Sequence, residues 1–232
     1  AIKEPAIKSP AIKNKVVDDS LSDKVSFFSA LTLIDARIGS LNILSQNFEN
    51  LTFTAKPLKH VWRFDIASEQ LEGHIDFYPS WRKQGLKIVA SKLHLAPKIK
   101  APEEAQYSPD NLLDNLPPLA VDVDDFGLYD TRLGHLVLQG IPYENGYRFQ
   151  TLTMTRPIVS LQASGDWTFA EGKNLTKFDV NIKASKFDAL SEALAINPGL
   201  KEAPVDMVGE FSWEGAPYAF SLETLNGKLR FD

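Results

Sequence analysis

From Val25 onward apolar and polar residues take turns along the chain. Leu31 and Leu33 flank Thr32, and Trp62, Phe64 and Ile66 alternate with Arg63 and Asp65. A period of two sends every second side chain to the same side of a pleated strand, so the alternation predicts sheet with one apolar and one polar face. It recurs in Gly73 to Phe77, Leu86 to Ile88, Leu93 to Leu95, Val121 to Val123, Leu136 to Leu138, Phe178 to Ile182 and Leu229 to Phe231, with short polar or glycine-containing turns between. The pattern predicts a mainly β fold of roughly fourteen to sixteen strands, mostly in antiparallel meanders.

Two stretches break the period and predict short helices. Ser108-Pro109-Asp110 sets a capping residue before a proline suited to a first helical turn, with Leu112, Leu113 and Leu116 on one stripe and Pro117-Pro118 as a stop. Asp188 can cap Ala189 through Ala195, where Leu190 and Leu194 share a face before Asn197-Pro198-Gly199 ends the run. The chain opens on Ala-Ile-Lys pentads, Ala1 to Pro5, Ala6 to Pro10 and Ala11 to Lys15. Their spaced prolines favour extended backbone and forbid a helix, so residues 1–20 read as a linker.

Sliding the chain on itself by about 85 residues lays Phe48-Glu49-Asn50-Leu51-Thr52-Phe53 on Leu133 to Leu138, and Val61-Trp62-Arg63-Phe64 on Gly146-Tyr147-Arg148-Phe149. This predicts two β repeats, over 21–105 and 106–232. A second echo places two large apolar groups after a glycine in Gly73 to Phe77, Gly165 to Phe169 and Gly209 to Trp213. Glycine there predicts a bulge or bend. Repetition without a closing pattern points to units stacked in one dimension, each burying its apolar face against its neighbours.

Composition narrows the function classes. With 44% hydrophobic and 24% charged residues and a net charge of −5, the chain has no basic stripe for a nucleic-acid backbone. No apolar run approaches the roughly 18 residues of a membrane span, so this stretch is expected in water. There is no cysteine, which removes disulfides, thiolate metal sites and cysteine nucleophiles together. Beginning at Ala1 without a signal sequence, the chain reads as a piece excised from a longer protein.

Candidate chemistry is sparse. Asp122, Asp124, Asp125 and Asp130 are the densest carboxylates, but they lack the spacing of a calcium loop, and Asp122 and Asp124 alternate with Val121 and Val123 as a solvated strand face would. His60, His74, His94 and His135 are scattered without metal-ligand spacing and are expected on solvent-facing strand positions. Nucleophile-elbow, phosphate-loop, zinc-protease and dinucleotide motifs are all missing, so neither a cofactor nor an enzyme is expected. Asn50-Leu51-Thr52 and Asn174-Leu175-Thr176 match a glycosylation acceptor at chance level. The aromatics carry the decision: in a closed sandwich they are core, in an open groove they line an apolar path.

One ordered set of residues resembles a known family. Asp125-Phe126-Gly127, Leu133-Gly134-His135-Leu136, Gly146-Tyr147-Arg148-Phe149, Leu161 to Trp167, Gly209 to Trp213 and Leu225-Asn226-Gly227-Lys228-Leu229 follow one another as in the C-terminal half of the YhdP family of AsmA-like envelope proteins. The likeness runs from about Leu31 and includes Trp62 to Ser68 with Leu71-Glu72-Gly73. It implies a strongly curved, taco-like groove and a place in the periplasm of a Gram-negative bacterium, within an inner-membrane-anchored protein. It also implies that phospholipid, or another acyl-chain lipid, moves between inner and outer membranes along that groove. The residues expected to line it are Trp62, Phe64, Ile66, Ile75, Phe77, Val121, Val123, Leu136, Leu138, Tyr147, Phe149, Leu161, Trp167, Phe169, Phe178, Val180, Ile182, Phe211, Trp213, Phe220, Leu222, Leu229 and Phe231. Two rival readings stand beside it: an envelope scaffold that recruits a protein through its sheet edges, and a carbohydrate-binding or hydrolytic sandwich for which Asp166 beside Trp167 is the local hint.

Overall fold

The computed structural model describes residues 32–43, 46–96, 113, 115–170, 172–186, 204–220 and 223–231. The linker at 1–20, the helix at 188–195, most of the helix at 108–116, and Leu222 lie outside the described residues. The strands belong to one compact unit, Leu33–Asp232.

Among the described residues that unit is a single open sheet of twelve strands whose order in space is their order in the chain. They are β1 (Ile34–Ile43), β2 (Gln46–Pro57), β3 (Trp62–Ala67), β4 (Leu71–Phe77), β5 (Leu86–Leu95), β6 (Leu119–Leu128), β7 (Thr131–Tyr143), β8 (Gly146–Arg156), β9 (Val159–Ala170), β10 (Lys173–Ala184), β11 (Val205–Glu214) and β12 (Asn226–Phe231). A one-turn helix, α1 (Trp81–Gln84), joins β4 to β5, and a 3-10 turn at Pro217–Ala219 lies between β11 and β12. Among the described residues extensive packing between elements is confined to hydrogen-bonded neighbours, with no second sheet against the apolar face and no closure of β1 onto β12.

The described residues hold twelve strands where the alternation reads as roughly fourteen to sixteen over the whole chain, and a bulge can split one strand into two alternating runs. Leu86 to Ile88 and Leu93 to Leu95 read as separate strands, yet both belong to β5. Its partner β4 shifts register between Glu72 and Gly73, and the apolar parity of β5 moves from Ala90 to Leu93. β6 shifts likewise, from Val123 to Phe126, and β8 from Phe149 to Leu152. A bulge spends one extra residue and restores the apolar side to the same face, while bending the strand. Such bulges, with left-handed Asn50 in β2 and Gly134 in β7, are what bend a long sheet into a groove.

The meander is not purely antiparallel. β5 and β6 run parallel, with Leu86 opposite Leu119 and Leu95 opposite Leu128. Parallel neighbours need a long return path, which residues 96–118 supply. Of the glycines expected to mark a bulge or bend, Gly73 lies at a register shift, whereas Gly209 pairs in unbroken register with Val180.

Candidate functional site: the apolar face of the sheet

Strand register aligns the apolar residues into rows that run across the strands. Ile34, Ala55, Phe64, Ile75, Ile88, Val121, Leu138, Leu152, Ala163, Val180, Gly209 and Leu229 face one another in turn from β1 to β12. Beside them run Ala36, Phe53, Ile66, Gly73, Ala90, Val123, Leu136, Met154, Leu161, Ile182, Met207 and, by register, Phe231. A third row passes from Pro57 in β2 through Trp62, Phe77, Leu86, Leu119, Gly140, Phe149, Gly165, Phe178 and Phe211 to Gly227 in β12. No polar side chain interrupts any of the three. At about 4.8 Å per strand, twelve strands carry these rows over roughly 50 Å.

All the residues expected to line a groove fall on this face by register, apart from Phe220, which follows the 3-10 turn and packs on Trp213, and the undescribed Leu222. Sequence reading missed others in the same rows. Phe53, Leu86 and Ile88 sit in alternations visible in the chain, and Met207 extends the run into Gly209. The signal was their spacing, hidden where a bulge shifts parity.

The face is not uniform. Around β2 to β4 the rings of Phe53, Phe64 and Phe77 follow one another at 6.4 and 6.2 Å, continue to Trp81 of α1 at 5.7 Å, and are half-buried. On β8 to β11 the rings of Tyr147, Phe149, Phe178 and Trp213 succeed one another at 5.3 to 5.8 Å and are buried, as is Trp167 on β9. Two non-strand segments close over this second group. Leu113 and Leu116 come from the β5–β6 crossover, and Ala216, Tyr218, Phe220 and Leu225 from the β11–β12 connection. Tyr218 meets Trp167 edge-on at 6.0 Å, and Phe220 meets Trp213 edge-on at 5.3 Å. The polar tips of the floor rings hold the cover: the Tyr147 hydroxyl donates to the Pro117 carbonyl at 3.0 Å and the Trp213 indole N–H to the Ala216 carbonyl at 3.2 Å. Burial pushes the Tyr147 and Tyr218 phenols above the usual tyrosine range, so both stay neutral.

Close approach of the strands beneath the rings needs glycine. A Cβ on Gly140 would lie 2.3 Å from the Tyr147 ring, and one on Gly165 would lie 2.1 Å from the Lys177 carbonyl oxygen.

The opposite face is polar and carries cross-strand ion pairs. Arg63 reaches Asp76 with Nε at 2.7 Å and Nη2 at 2.8 Å, and the hydrogen bond holds the Asp76 carboxyl below its usual range against the opposing effect of burial. Arg148 repeats the contact with Asp166 at 2.8 Å and stacks over the Tyr143 ring at 3.4 Å. Register sets Lys87 beside Asp76 and Lys177 beside Asp166, so the Arg-Asp-Lys ladder occurs twice.

A recess of about 570 Å³ is lined by Thr52, Thr54, Asp65, Glu72, His74 and Ser91 together with Phe53, Ile66, Gly73 and Ala90 of the second row. Near it the β6 bulge brings Asp122, Asp124 and His135 together, with ligand atoms within 4.8 Å of one another. All three are exposed, and His135 Nε2 is 2.8 Å from Asp122. A divalent cation could use this set, although exposed groups of this kind commonly cluster without one. His94 lies 3.1 Å from Asp125, which also accepts from Arg132 at 2.8 Å. His74, His94 and His135 lie on strands as expected, whereas His60 lies on the bend between β2 and β3. Among the described residues no helix is long and apolar enough to cross a membrane.

A family model described as YhdP, "YhdP protein", matches residues 7–232. Comparison with curated proteins and with solved structures returns no significant match. Matched over nearly its whole length, the chain belongs to the YhdP family.

Proposed function

We propose that this chain is a segment of a bridge-like periplasmic protein whose apolar sheet face carries phospholipid between the inner and outer membranes. The observation that carries the reading is the set of three apolar rows, uninterrupted by any polar side chain, that cross the strands rather than follow them. An acyl chain lying along such a row exchanges water for apolar contact at every step, at about 0.8 kcal/mol per buried methylene. A series of similar contacts offers no deep trap, so the chain can slide. Membership of the YhdP family, a lipid-transport theme of the envelope, supports the same reading. The polar face needs no lipid role, since its carboxylates and bases pair across strands in water.

Mass spectrometry of the gently purified protein tests this: bound phospholipid is expected, and a consistently lipid-free protein overturns it. The scaffold reading rests on a different observation, the outer edges of β1 and β12, which among the described residues carry no neighbouring strand and could each accept one. A photo-crosslinking residue at Phe64 separates the two, because lipid is captured in the first case and protein in the second.

A further inference from the structure

Phe64 on β3 and Phe149 on β8 correspond in the 85-residue offset, yet among the described residues the rings of β8–β11 are closed over and those of β2–β4 are not. Phe53, Phe64 and Phe77 remain half-buried, whereas Phe149, Phe178 and Trp213 are each 8% exposed or less beneath the cover. Leu113, Leu116 and Pro117 reach the face immediately before β6, where the rows pass from the first repeat into the second. Leu116 packs there against the same cluster as Leu119 and Leu138, members of the third and first rows. Side chains therefore already fill the volume an acyl chain would need over β8–β11 along this border of the sheet.

We infer that this cover is a stop: it confines acyl chains on the aromatic border to the first repeat, and they enter the second only when it lifts. The inference rests on the lipid-carrying reading above. Its latches are the hydroxyl of Tyr147 on the Pro117 carbonyl and the indole of Trp213 on the Ala216 carbonyl. Each joins a floor ring to the backbone of one covering segment. Both latches are neutral hydrogen bonds under apolar packing, so salt does not screen them.

The chain's four tryptophans make the test direct. The W62F/W81F variant keeps only Trp167 and Trp213, both under the cover. With phospholipid brominated on its acyl chains, its emission is expected to stay unquenched, while a photo-crosslinking residue at Phe64 captures the same lipid. Adding Tyr147→Phe and Leu116→Ser, or Phe220→Ser where that combination fails to fold, is expected to bring quenching of roughly half the emission. Quenching with the cover intact overturns the stop but leaves lipid carriage standing. Capture at Phe64 without quenching in any folded loosened variant also overturns it, since the covered rings would then be plain core. Neither capture nor quenching overturns lipid carriage itself and the stop with it.

Discussion

Arg63 and Asp76 meet across β3 and β4 through two parallel hydrogen bonds, on the face turned away from the apolar rows. The Asp76 side chain is 11% exposed, whereas Asp166 in the equivalent pair is 40% exposed. Asp76→Asn is therefore expected to cost about 1–3 kcal/mol, and Asp166→Asn under about 1 kcal/mol. The Asp76 carboxyl is held below its free value of about 3.9, so the stabilisation is present above that pH and is lost as pH falls through the lower folded value. Thermal melts of the wild type and Asp76→Asn should differ by a constant amount near neutrality and converge below about pH 4.

Tyr147 gives the opposite dependence. Its phenol is raised in the folded state, so stability is complete below the free value of about 10 and declines as pH rises from there towards the folded value. Tyr147→Phe is expected to lose about 1 kcal/mol near neutrality with the Pro117 hydrogen bond. It should also show a smaller alkaline loss than the wild type, measured by urea unfolding on either side of pH 10.

Two glycines separate packing from propensity. Gly140→Ala drives a methyl into the Tyr147 ring and is expected to cost about 1–3 kcal/mol. Gly39, in β1, has nothing within 4 Å of the added carbon, so Gly39→Ala should leave stability unchanged or slightly raised. Calorimetry of the pair checks both.

The apolar face separates stability from cargo. Leu136 is 5% exposed, and Leu136→Ala should cost about 2–5 kcal/mol. Phe64 is half-buried; Phe64→Ser should lower the melting temperature less than Leu136→Ala does, yet reduce the phospholipid recovered with the protein. Lipid recovery that follows the melting temperature alone would contradict a separate role for Phe64.

Much of this fold could be read from the chain because strand faces are a local property. Trp62, Phe64 and Ile66 declare their side by alternation, and the correspondence of Arg63 with Arg148 survives as the same cross-strand pair. Parity shifts defeat that reading: nothing beside Ala90 states that Leu93 will return to its face, because the bulge is decided by pairing with β4. The cover over Tyr147 was illegible for a related reason. Leu113 and Tyr218 lie about a hundred residues apart in sequence and meet only through the rings of β8 to β11. Nor does alternation mark the parallel joint, since parallel and antiparallel neighbours of a one-sided sheet alternate alike.

The parallel joint sets the relative sense of strands five apart. A five-strand module in an all-antiparallel meander would hand the next module a reversed starting direction, and every second copy would stand upside down. Placing β5 and β6 side by side in the same sense cancels the reversal, so β8 points as β3 does and the Arg148 hairpin is a shifted rather than an inverted image of the Arg63 hairpin. A sheet assembled on this rule relates strands five apart by translation instead of inversion.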